Sequence, residues 1–179
     1  MNQGVQNDAL LMKHLHKFFN NINVPWVNLI WNSYYHDRVP HDTKQCGSIR
    51  WRDVCKLMDK FREFTCIQVN QGDTALFWDD NWQLDNSVVP LKQRFGRLFS
   101  YAIDTLASVK DFLDCQEWEA LFHLPLSQKA HQKLISLQQM VQNIQLKASE
   151  PDCWVLKHNG KQYEAKSYYT YVHRNIIPN

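Results

Sequence analysis

Apolar residues recur at helical spacing along most of the chain, interrupted by short β-favouring runs beside turn-forming pairs. Asp8 is suited to cap a first helix running to about Ile22. Leu11, Leu15, Phe18, Phe19 and Ile22 then share one face. Pro25 fits the first turn of a second helix, with Val27, Ile30, Trp31 and Tyr34 as its apolar stripe. A polar loop at 37–47 follows. Ser48 opens a third helix on which Trp51, Val54, Cys55, Met58 and Phe61 keep helical spacing. Short helices are predicted at 91–103, 108–114 and 116–123. Ser127 caps a longer one carrying Ala130, Leu134, Leu137, Val141 and Ile144. Ser167 caps a closing helix with Tyr168, Tyr171 and Val172.

From Cys66 the period shortens. CIQV and TALFW flank Asn70-Gln71-Gly72-Asp73, and CWVLKH and KQYEA flank Asn159-Gly160, a pair suited to a type I′ turn. The predicted fold class is therefore α+β, predominantly α-helical, with two short β-hairpins near 66–78 and 153–165. Three segments follow from this outline: an N-terminal helical segment at 1–65, an aromatic hairpin plus helices at 66–150, and a C-terminal hairpin and helix at 151–179. They are expected to form one compact unit.

Composition adds exclusions. The chain has 179 residues, 44% of them hydrophobic, with only 5 Gly and 6 Pro, which argues for a folded core and against disorder. Its 7 Trp and 9 Phe supply much buried area per residue. A net charge of +2 does not by itself imply nucleic acid. No apolar run is long enough for a membrane span, and the N-terminus is interrupted by polar residues in a way unlike a signal peptide. Five scattered cysteines (Cys46, Cys55, Cys66, Cys115, Cys153) form no CxxC, so they read as reduced thiols in a nuclear or cytoplasmic protein.

Candidate chemistry is sparse. Phe77-Trp78-Asp79-Asp80 has the form of a polymerase aspartate pair, which would hold magnesium. Such a site needs a third carboxylate and a surrounding framework, and a turn that satisfies backbone groups is the better account. His14 and His16 point to different helix faces, and His36, His41, Cys115 and His123 have no partners at ligand spacing. No metal, cofactor or catalytic residue is expected. Arg52, Lys56 and Lys60 recur every fourth residue, and Lys92, Arg94 and Arg97 cluster after Pro90; both sets could neutralise phosphates. Asp53, Asp59 and Glu63 interleave the first set, as on a salt-bridged surface, so the cluster after Pro90 is the better candidate.

Taken in order, these elements resemble the region downstream of the polymerase in plant LINE-type (non-LTR) retrotransposon reverse transcriptases. The family's first helix is matched by Asn7, Ala9, Leu10, Leu11 and Lys13. Its Gly-Ser then Trp-Arg-Asp start is matched by Gly47, Ser48, Trp51, Arg52 and Asp53. Its most specific block is matched by Val69, Gly72, Phe77, Trp78, Asp80 and Trp82, with Asn70 replacing a glycine. Phe95, Arg97, Leu98, Phe99 and Ala102 follow. Asp152, Trp154, Asn159, Gly160, Tyr163, Lys166, Ser167 and Tyr168 resemble the family's ending. The family usually has tryptophans where this chain has His14 and His16, a departure that bears on first-helix packing.

The resemblance implies a non-catalytic segment connecting the polymerase to a C-terminal zinc-binding module, here an isolated or degenerate copy, with RNA or single-stranded DNA as partner. The rival expectation is a domesticated protein-interaction domain without nucleic-acid binding. Trp51, Gly72, Phe77, Trp78, Asp80, Trp82, Trp154 and Gly160 are expected to be structural.

Overall fold

The computed structural model describes residues 3–34, 48–82 and 89–176. The expected loop at 37–47, with His36, His41 and Cys46, lies outside them. The fold is α+β and predominantly helical, and its contacts divide it into two units. The first unit joins Met1–Cys66 to Cys153–Asn179, and the second is Ile67–Asp152.

The first unit is organised around α1 (Gln3–Phe19), which packs against α3 (Ile49–Cys55), α4 (Met58–Phe64) and α9 (Ala165–Ile176). The helix starts before Asp8, so Asp8 is not its cap. Ala9, Met12, Leu15, Phe18 and Phe19 form the buried stripe, while Ile22 lies beyond the end and is exposed. The stop has a clear cause. Asn21 adopts φ +43, its N–H bonds the Phe18 carbonyl at 3.0 Å, and the Ile22 N–H bonds the Lys17 carbonyl at 3.0 Å. That is a Schellman closure, with asparagine tolerating the left-handed position.

Helix α2 (Pro25–Tyr34) begins at its proline. Helix α3 is capped by Ser48, whose hydroxyl accepts the Trp51 N–H at 3.2 Å. The third predicted helix is two: the chain turns at Leu57 (φ −93, ψ 2) before α4. Helix α9 starts two residues ahead of Ser167, with the Glu164 carbonyl accepting the Ser167 N–H.

The second unit holds α5 (Leu91–Arg94), α6 (Gly96–Phe99), α7 (Val109–Asp114), a 3-10 turn at Trp118–Leu121 and α8 (Gln128–Val141). Ser127 caps α8, and Ala130, Leu134, Leu137 and Val141 face inward. A capping box between Ser108 and Asp111 opens α7.

The strands correct the hairpin expectation. Strand β1 (Thr65–Gln68) does not fold back on residues 74–78; it pairs with β2 (Cys153–Leu156). The reason lies in Asp152. Its carboxylate accepts the backbone N–H groups of Asn70 (2.7 Å), Gly72 (2.8 Å) and Thr74 (3.1 Å), and the Thr74 hydroxyl (2.8 Å). Those donors, bonded to a side chain, are not offered to a returning strand. Gly72 sits at φ +76, and a Cβ there would lie 3.1 Å from the Lys110 nitrogen, so both conformation and space call for glycine.

The turn at Asn159-Gly160 also differs. Only Gly160 has positive φ (+64), and the Leu156 N–H reaches the Lys161 carbonyl at 2.7 Å around a longer loop. It is a four-residue connection rather than a two-residue type I′ turn, and 161–164 form no strand.

Candidate nucleic-acid interface

The first basic set does not form one stripe, because the turn at Leu57 separates Arg52 on α3 from Lys60 on α4. Lys56 donates to Asp53 at 2.6 Å, and Lys60 donates to Asp8 at 2.8 Å. The hydrogen bond to Asp8 holds the Lys60 ammonium above its ordinary pKa. Arg52 is exposed beside them.

In the second set Lys92 forms an ion pair with Asp79, while Arg94 and Arg97 are exposed on α5 and α6. Arg94 lies 5.7 Å from the Phe95 ring centroid, and Lys133 of α8 lies at the same distance from that ring. The two cations flank one buried phenyl, a cation–π arrangement. Nothing in the spacing around Pro90 connects Lys133 to this cluster. The signal that could have found it is the border of the apolar stripe on α8, where Lys129 and Lys133 stand four residues apart beside Ala130, Leu134 and Leu137.

The aspartates of the Phe-Trp-Asp-Asp motif are both engaged. Asp80 is buried, and its Oδ2 accepts the Leu76 N–H at 2.8 Å, closing the turn. Asp79 holds Lys92. Among the described residues no three His, Cys, Asp or Glu side chains gather as a metal ligand set.

The aromatic neighbours of this motif pack tightly. Phe77 stacks on Phe112 with centroids 3.8 Å apart, and Trp78 meets Phe99, Phe112 and Phe122 edge-on. Phe77 and Trp78 lie in a turn rather than a strand. They are covered by α6, α7 and the 3-10 region. Trp82 is buried, and its indole N–H donates to the Phe77 carbonyl at 2.9 Å. No base could stack on these indoles without unfolding the unit.

No protein family, characterised protein or solved structure matches the chain.

In the first unit Trp154 is buried against Phe19 and Phe61, and Trp51 packs edge-on to Phe18. Its surface differs electrically from that of the second unit. Met1–Cys66 with Cys153–Asn179 carries 13 Lys and Arg against 7 Asp and Glu. Ile67–Asp152 carries 7 against 11. The near-neutral whole hides a unit of net +6 and one of net −4. The cluster after Pro90, favoured by sequence spacing, sits on the acidic unit.

Among the described residues no helix is long and apolar enough to cross a membrane.

Proposed function

We propose that the chain is a non-catalytic connecting segment of a retrotransposon reverse transcriptase, giving its parent an accessory grip on RNA or single-stranded DNA. In that parent it stands between the polymerase and zinc-binding modules. The motif residues that carry the resemblance support a scaffold: Phe77, Trp78 and Trp82 are core, Gly72 and Gly160 are turns, and Asp80 is a turn-closing acceptor. The observation that carries the nucleic-acid part is the net +6 of the first unit, because positive charge concentrated on one body attracts phosphates with little sequence preference.

The test is a salt titration of the full chain with labelled single strands. Neutralising about three phosphates gives roughly a tenfold loss of affinity between 50 and 150 mM salt. Binding that ignores salt, or no binding at low salt, overturns the reading. A protein-interaction domain is the rival, favoured by the pairing of Lys56, Lys60 and Lys92 with aspartates; it predicts no salt-sensitive uptake of oligonucleotides. A polymerase reading frame upstream and a Cys/His module downstream in the genome would tie the chain to its parent.

A further inference from the structure

We infer that the groove between α1, α2 and α3 is a single-strand binding site in which Trp26 stacks a base and Arg50 neutralises a neighbouring phosphate, with the charges of Lys13 and Lys17 near His14 adding to the attraction. The inference rests on the nucleic-acid reading above and gives it a place.

The groove lies wholly within the basic unit. Leu11, Ile30, Trp51 and Val54 form its apolar wall, and its volume is about 900 Å³. That is within the ~300–1,000 Å³ of sites that enclose small organic groups. Trp26 is half-buried, 5.8 Å from the Trp51 ring and 5.6 Å edge-on from His14. Trp51 is sequestered and fixes the orientation of Trp26, whose remaining surface is offered to the groove. A flat aromatic on an apolar wall, with a cation at its mouth, is what a base and its phosphate require.

The carboxylates at the rim are neutralised by pairing. The two carboxylates in the lining, Asp8 and Asp53, are already paired with Lys60 and Lys56. Arg50 is exposed at the groove mouth. Lys13 and Lys17 lie outside the lining but close enough to His14 on α1 for their charges to act on it. Burial, then the charges of Lys17 and Lys13, hold the His14 imidazole below its ordinary pKa. The field that discourages a proton on His14 draws a phosphate to the same place. A bound phosphate must then raise the His14 pKa.

The experiment titrates the full chain against labelled short oligouridine and oligodeoxyuridine by fluorescence anisotropy. Trp26→Ala is expected to weaken both by about tenfold or more, with Trp26→Phe retaining most of the affinity. Arg50→Gln should reduce the salt slope by about one. The control is Lys129→Glu with Lys133→Glu in the other unit, where the change should be under about twofold. The ratio of oligouridine to oligodeoxyuridine, which differ only in the sugar, reports whether the 2′-hydroxyl is used. In parallel, the His14 ring proton shifts followed against pH should show the pKa rising with oligonucleotide bound. If Trp26→Ala disturbs folding, Arg50→Gln and the His14 titration decide. Full affinity in Trp26→Ala and Arg50→Gln, with loss in the Lys129/Lys133 variant, overturns the groove but leaves the nucleic-acid reading standing. An unmoved His14 pKa in a saturated complex also overturns the groove. Failure of the wild type to bind either strand overturns both.

Discussion

The two units solve the same problem, burying a tryptophan in a small core, by different means. The first wraps Trp154 with long helices: α1 supplies Phe19, and Asn20 fixes β2 by accepting the Trp154 N–H at 2.8 Å. The second surrounds Trp78 with short helices and turns, and spends carboxylates on their backbone. Asp152 binds three N–H groups of the 70–74 loop, Asp80 binds Leu76, and Asp111 completes the α7 capping box. Where regular helices satisfy the backbone, side-chain charge is left for the surface. Where loops must be satisfied by aspartates, the unit becomes acidic. The +6 against −4 division is in part a consequence of how each core is built.

The strongest way to break this comparison is to remove each indole. Trp78→Ala and Trp154→Ala should each cost about 3–5 kcal/mol. Hydrogen exchange should show protection lost chiefly across 67–152 in the first variant and across 1–66 with 153–179 in the second. Equal loss everywhere in both would mean that the division has no energetic meaning. The indole N–H groups of both residues have no acceptor among the described residues. A Trp78→Phe change therefore removes an unsatisfied buried donor along with part of the ring, and should restore much of the loss.

The same contrast explains what could be read from the chain. Helices announced themselves through local signals: Pro25 at the start of α2, Ser48 and Ser127 as caps, and the α8 stripe from Ala130 to Val141. The fate of 66–78 is not legible locally because the residue that decides it, Asp152, lies about eighty positions away, and no local pattern reports a carboxylate that far off. The end of α1 is hidden in the pattern because apolar spacing continues to Ile22 while Asn21 has already turned left-handed. For the interface, spacing pointed to Lys92, Arg94 and Arg97. It could not show that Lys92 would be consumed by Asp79, nor that Trp26 and Arg50 would meet across two helices.

A second test exploits a polar group that only the first unit buries in this way. His16 is buried beside Tyr163, and its Nδ1 is 3.0 Å from the Asn20 amide nitrogen. The Asn20 oxygen accepts the Trp154 N–H, so the amide turns its donor toward the imidazole, which must accept. A protonated ring would set two donors against each other. Burial accordingly pushes the His16 pKa down to about 4. The folded state then binds fewer protons than the unfolded one, whose histidine titrates near 6.5. This contribution is full above about pH 6.5 and is lost as the pH falls toward 4, by roughly 3 kcal/mol. Urea unfolding of the first unit at neutral pH and near pH 4.5 should show most of that loss, and His16→Gln, neutral throughout, should flatten it. Unchanged acid sensitivity in His16→Gln would place the titration elsewhere.

The smallest effect probes the charge division directly. Lys60→Gln and Asp8→Asn break the same partly exposed ion pair, and each should cost only about 0.2–1 kcal/mol. They differ in what they leave behind. Lys60→Gln takes a cation from a unit already at net +6 and relieves repulsion; Asp8→Asn removes an anion and adds to the excess. If that excess creates a real field at α1, Asp8→Asn must be the costlier change at low ionic strength. In molar salt the Debye length shrinks to about 3 Å, and the two variants should converge. Melting both at low and high salt reads the difference without any ligand present. Equal stability at low salt would mean that the cations of the first unit are too dispersed to act together, and it would weaken the electrostatic basis for placing a strand in the groove beside Trp26.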